Sequence, residues 1–305
     1  MKAFLFFILI VLPLTLCSQQ VSDTSYSPII KNPEYNVRKG PVVFIDEGHN
    51  NFHTKQGRYR AFSDLLEKDG YVVTEYEGEF TKNKLSQGKI LVISNALNDI
   101  NVSNWYLPTP SAFTKTEIET VRDWVNEGGS LFLIADHMPM AGAAYDLALE
   151  FGFEFSNGFV FHTETEGTGF FNLKDGTLIE STITKGRDKN QSVEKIVSFT
   201  GQGFKIPEAA KSILTFDEKY FNLLPDTAWV FNDSTIRLNV KGWSQLAYRT
   251  FGKGKVVVSG EAAMFTAQLA GPKSFKVGMN NEDARENHIL LLNIIRWLDG
   301  KLQDN

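Results

Sequence analysis

Cysteine is almost missing: one residue, Cys17, in a chain of 305. Downstream of position 17 there can be no disulfide framework, no Cys-ligated zinc and no thiolate nucleophile. Basic charge is also short, with 31 Lys plus Arg against 36 Asp plus Glu and a net charge of −5. Without a basic run, nucleic acid is a poor candidate partner. Prolines number only 10 and charged residues make up 22%, while apolar residues reach 42%. That balance excludes disorder, collagen and coiled coil. Internal repeats, low-complexity tracts and a second long apolar run are absent too.

The one long apolar run covers residues 3–16, behind Met1 and Lys2, with Pro13 inside it. It is short for a bilayer span but suits the h-region of a signal peptide, with cleavage after Ser18. The expectation is an exported protein, periplasmic or secreted. Cys17 offers a rival reading as a lipid anchor to the envelope, ranked second because Leu16 is bulkier than lipoprotein processing prefers. Residues 19–40 are polar and rich in turn formers, and read as a tether. An exported chain without disulfides must be held by its core, which 24 phenylalanines can supply.

Beyond the tether, short continuous apolar runs at 41–45, 71–75, 90–94, 131–135 and 255–259 read as strands buried on both faces. Helices are expected between them. Over 57–68, Tyr59, Phe62, Leu65 and Leu66 share a face, and Asp69-Gly70 stops the helix. Thr114 and Glu117 form a capping box that opens a helix ended by Gly128-Gly129. A closing helix is expected over 284–298. Between about 153 and 248, alternation and turn signals suggest an antiparallel, β-rich insertion. The fold class is therefore α/β: a three-layer, mostly parallel sheet with helices on both faces, forming one domain over 41–300.

In such sheets ligands bind beyond the carboxyl ends of the strands. The segments in that position carry Asp46, Glu47, His49, Asn51 and His53, then Asn95, then Asp136 and His137, and finally Glu261. Two chemistries fit. His49, His53, Asp136 and His137 could hold a divalent metal, since imidazole and carboxylate are ligands that such ions accept. Without metal, Asp46 or Glu47 could orient His49, and His49 or His137 could act as general base or acid in a catalytic set with Asp136, while Asp46, Glu47, Asn51, His53, Asn95 and Glu261 bind the substrate. The bland alternative has the aspartates capping helices and the histidines bonding loop backbone.

Three further features are weaker. His162, Glu164 and Glu166 alternate as on one strand face, Gly201-Gln-Gly203 is a poor phosphate loop, and Trp105, Tyr106 and Phe113 could wall a sugar site.

Several stretches together resemble a bacterial family of unknown function in the class I glutamine amidotransferase-like superfamily. They are Asp46 to Thr54 with Gly57-Arg-Tyr59, Ile134 to Pro139 with Gly142-Ala-Ala144, Ser198 to Gly201, and Gly260 to Phe265 with Gly278-Met-Asn280. The Asn293 and Trp297 helix completes the set. The resemblance implies a flavodoxin-like core, similar to trehalose-utilisation-type proteins, and supplies no activity. Where amidotransferases of that superfamily place their cysteine, this chain has neither Cys nor Ser, so glutamine hydrolysis through a thioester is excluded. No Gly-x-Ser-x-Gly elbow occurs either. The expectation is a hydrolase-type enzyme acting on a small polar ligand, plausibly a carbohydrate derivative. A non-catalytic binding or scaffold module is the alternative.

Overall fold

The structure, a computed structural model, describes residues 20–165 and 167–303. The expected signal segment, Cys17 and Glu166 lie outside the described residues. Nine strands build the central sheet: β1 (Val42–Asp46), β2 (Val72–Tyr76), β3 (Ile90–Ser94), β4 (Ser130–Ile134) and β5 (Glu154–Phe155) come first. They are followed by β6 (Phe204–Lys205), β7 (Lys211–Thr215), β8 (Ser244–Phe251) and β9 (Gly254–Ser259). Spatial order is β2-β1-β3-β4-β9-β8-β6-β5, with β7 paired to β8 off that path. The first five in this order run parallel, in registers such as Val43 opposite Ile90 and Ile90 opposite Ser130. From β8 onward the pairing is antiparallel. The sheet is thus mixed, because the β-rich stretch lends strands to it.

Period-two alternation divides the apolar side chains between two cores. Helices α1 (Arg60–Lys68), α2 (Lys115–Glu127), α3 (Tyr145–Glu150) and α4 (Asn287–Leu298) complete them. Val43, Ile45, Val92, Phe132 and Ile134 pack with Phe62 and Leu66 of α1 and with Leu291 and Ile295 of α4. Phe44, Leu91, Ile93, Leu131 and Leu133 pack with Val121 and Val125 of α2 and Leu147 of α3. Each fully buried side chain of this kind contributes about 1.5–3 kcal/mol.

Two helices start later than their apolar spacing suggests. The α1 helix begins at Arg60, since residues 54–59 are occupied by turns in which the Thr54 carbonyl accepts from both Gly57 and Tyr59. The α4 helix begins at Asn287 and is buried nearly all round, not on one stripe. Its outer side is covered: Asn293 Nδ2 donates to the Ile183 and Gln191 carbonyls, and Arg296 binds Asp69 and the Asn32 carbonyl.

Residues 20–40, expected as a tether, are fastened to the body. Gln20–Ser22 pairs antiparallel with Ala267–Ala270. Further along, the Glu34 amide donates to Asp69 and the Tyr35 hydroxyl to Asp299. The remaining strands form small antiparallel sheets. One joins Phe159–His162, Tyr220–Leu224 and Ile236–Asn239, and another joins Gly169–Asn172 to Lys195–Ser198. Among the described residues no helix is long and apolar enough to cross a membrane.

Candidate functional site

Strand order reverses between β1 and β3, so the loops leaving their carboxyl ends part and open a crevice. Those loops are stitched together by backbone: Phe52 N donates to the Asn95 carbonyl and Leu97 N to the His49 carbonyl. Asn95 has φ of +50°, a left-handed conformation that asparagine tolerates better than most residues. Its Oδ1 accepts from Asp136 N at 2.8 Å, tying the ends of β3 and β4. All the candidate residues therefore share one rim of the sheet, but they divide into two groups there.

The first group is sealed. His49 Nδ1 lies 2.9 Å from Asp46 Oδ1, and Nε2 lies 2.8 Å from Glu117 Oε1. Phe80 and Phe113 pack on the ring at centroid distances of 4.4 and 4.9 Å. Burial by itself lowers the imidazole pKa, but the two carboxylates outweigh it and the net shift is upward. With both nitrogens donating to carboxylates, His49 has no lone pair to offer. The roles of general base and metal ligand expected for it do not fit this geometry. Asn51 completes the clamp, its Nδ2 donating to Asp46 Oδ2 and the Ser94 carbonyl. Glu117 also accepts from Phe80 N and from Thr114 N, so the capping-box acid of α2 serves three elements. Its carboxyl is held below the ordinary value against an opposing effect of burial.

Glu47 is half-buried towards the β2 edge, where its Oε1 accepts from Lys55 N at 2.7 Å. Burial, then the neighbouring acids, raise its pKa. His53 is buried, its ring 4.8 Å from Tyr59, and its Nδ1 has no partner. Burial, with Arg58 nearby, depresses its pKa to about 3, so the ring is neutral at pH 7.

The second group surrounds His137. Nδ1 lies 2.7 Å from the Met138 carbonyl, which can only accept, so the proton of a neutral ring sits on Nδ1. Nε2 then carries the lone pair. No described residue hydrogen-bonds it, and it is not sealed from solvent. The ring stacks on Phe159 at 4.2 Å, with Trp229 edge-on at 4.8 Å and Trp105 at 6.3 Å. Trp229 has φ of +65°, an outlier for a bulky side chain, and its indole is 51% exposed. Asp136 sits just before, its Oδ1 accepting from His137 N. Glu261 is buried, and its two oxygens accept from Ala263 N and Met264 N. Burial first, and the Asp136 carboxylate second, push it well above the usual carboxylate range.

Among the described residues no set of three or more His, Cys, Asp and Glu side chains is arranged to hold a metal ion. The four metal candidates, His49, His53, Asp136 and His137, are split between the sealed clamp, the buried loop and the open group. This donor set does not fit a divalent ion.

His162 ends its strand against Tyr220, and Glu164 pairs with Lys219. Gly201-Gln-Gly203 is a buried junction whose Gln202 side chain bridges the Ala135 carbonyl and Ser156 N. Phe113 goes into the His49 clamp. Glu117 as a partner of His49, Phe159, Trp229 and Arg58 were not singled out as site residues in the sequence. Only the capping box around Glu117 carried a signal, and it pointed to a helix start.

No family model matches the chain, and no curated protein matches it. Among solved structures it is similar to the mmIFT52 N-terminal domain, at 14% identity and a TM-score of 0.59, over 84% of this chain and 97% of that one. That likeness is one of fold. A putative ThuA-like protein from Bacteroides uniformis ATCC 8492 is also a neighbour, at 12% identity and a TM-score of 0.48, over 91% and 96% of the two chains. A cytoplasmic protein from Salmonella typhimurium LT2 has 15% identity and a TM-score of 0.48, over 86% and 99%.

Proposed function

We propose that this protein is an exported, hydrolase-type enzyme acting on a small polar substrate of carbohydrate type, with His137 as its general base. The observation that carries the proposal is the state of His137. One nitrogen is fixed by the Met138 carbonyl, while the other is free and flanked by aromatic rings. In this reading Nε2 takes the proton from an attacking water or substrate hydroxyl. Asp136 fixes the loop through its bond to His137 N. Trp105 and Trp229 take the apolar face of the ligand. Glu261 ties the end of β9 to the following turn through Ala263 N and Met264 N.

Other parts of the proposal rest on the sequence. Residues 1–18 would direct export, with a lipid anchor at Cys17 as the variant. The order of the five parallel strands, second-first-third-fourth-fifth, supports a flavodoxin-like core. With the quoted motifs, it also supports kinship with the amidotransferase-like superfamily, without its cysteine chemistry.

The test is a screen of the purified protein against small chromogenic glycosides and esters, followed by His137→Ala. Turnover should fall by about 10²–10⁴-fold, with the melting temperature almost unchanged. Turnover that survives His137→Ala contradicts the role. A second reading, a non-catalytic ligand-binding module, is favoured by one observation: His49, the other base candidate, has both nitrogens held by carboxylates. It predicts saturable binding that His137→Ala weakens, with no turnover in either protein.

A further inference from the structure

Buried guanidinium groups in this molecule normally find carboxylates. Arg296 is the standard case, its Nε and Nη2 holding Asp69 at 3.0 and 2.6 Å. Arg58 differs. It lies in the loop after β1, half-buried, with its Cζ 3.8 Å above the Phe52 ring. No described residue forms a hydrogen bond or ion pair with it, and its Nε is closed off from solvent without a partner. The acids on this side are taken, since Glu67 and Glu75 pair with Lys55. Beside Arg58, the buried His53 leaves Nδ1 unpartnered too.

The two Nη nitrogens of Arg58 are not sealed from solvent and no described carboxylate holds them, so they remain open to an outside anion, while a buried nitrogen without an acceptor, such as Nε, costs stability. Arg58 Nε and His53 Nδ1 are thus two donor-or-acceptor positions on one loop that the chain itself leaves unused. The place is continuous with the open part of the rim. Phe52, under the guanidinium, is 5.5 Å from Trp105, which is 6.3 Å from His137.

We propose that Arg58 anchors an anionic group of the ligand, a carboxylate or a phosphate, while the rest of that ligand lies along Trp105 towards His137. This rests on the reading of the His137 rim as a ligand site. The planar fork of Arg58 suits two oxygens of such a group, which a lysine ammonium would hold only as a point charge.

The experiment is thermal unfolding and calorimetric titration with inorganic phosphate, acetate and glucose as probes, on the wild type, Arg58→Met, Arg58→Lys and His137→Ala. At least one anion should stabilise the wild type and glucose should do so less, the better anion naming the group. Affinity for that anion should drop at least about tenfold in Arg58→Met and by less in Arg58→Lys. In buffer free of binding anions, Arg58→Met should melt within about 2 °C of wild type, because the charge it removes is half-buried and holds no carboxylate. Absence of any anion effect on the wild type overturns the proposal. So does an unchanged response in Arg58→Met, or melting of that variant several degrees below wild type. His137→Ala separates the two readings: an anion response that persists in this variant, together with turnover that is absent from the wild type or survives the substitution, sinks only the catalytic role.

Discussion

His49 and His53 stand four positions apart on one loop and respond to acid in opposite ways. The carboxylates around His49 raise its pKa above the ordinary 6.5. Its contribution to stability is therefore complete below about pH 6.5 and fades as pH rises through the raised value. His53 is pushed down to about 3. Its neutral form is the one that folds, so its contribution is present above about pH 6.5 and is lost as pH falls towards 3. Each unit in that window costs up to about 1.4 kcal/mol. Urea unfolding against pH checks both signs. His53→Phe should flatten the acid side between pH 6.5 and 3, and His49→Phe should flatten the side above 6.5. His49→Phe should also lose about 3–5 kcal/mol at pH 6, because Asp46 and Glu117 are left buried without their cation. The sequence offered three strand-end histidines and, three residues before His49, Asp46 as a partner that could orient it, which the 2.9 Å contact matches. The partner of His49 Nε2 lies 68 residues away, on a helix whose placement no local spacing reveals.

At the scale of elements, the loop after β1 and the start of α2 are joined through one carboxylate. Thr114 and Glu117 were legible as a capping box because the pairing is local, and the structure has both of its hydrogen bonds. The further duties of Glu117 towards Phe80 N and His49 arise only when the helix docks. The two substitutions should therefore differ in size. Thr114→Ala removes a cap and should cost about 1 kcal/mol. Glu117→Gln also strips the clamp of a charge and should cost about 3 kcal/mol. Equal losses on chemical denaturation would mean that Glu117 is a cap and nothing more. The strands were legible for a physical reason: parallel strands buried on both faces need unbroken apolar runs, and β3 falls on the run expected for it. Helix starts were less so, since the turns at 54–59 compete with helix for the same residues.

At the scale of the whole molecule, the candidate residues gather on the rim where strand order reverses within the parallel part of the sheet, and elements from the β-rich stretch cover it. Phe159 and Trp229, which frame His137, come from that stretch, in a segment with no periodicity that would announce contact with β4. Sequence reading reached the rim but not its division into a sealed clamp and an open, aromatic-lined group. Parts of the β-rich stretch, with residues 20–40, also cover the outer side of α4, so the closing helix is buried nearly all round and its Asn293 and Arg296 find partners where a surface helix would face water. The division of labour among the histidines can be observed directly by long-range proton–nitrogen NMR of the imidazole rings. For His137, the account predicts that the neutral ring carries its proton on Nδ1, with an unprotonated Nε2 whose resonance moves when ligand is added. For His49 it predicts protons on both nitrogens at pH 6. A His137 proton on Nε2, or a His49 ring with a free nitrogen at that pH, would contradict it.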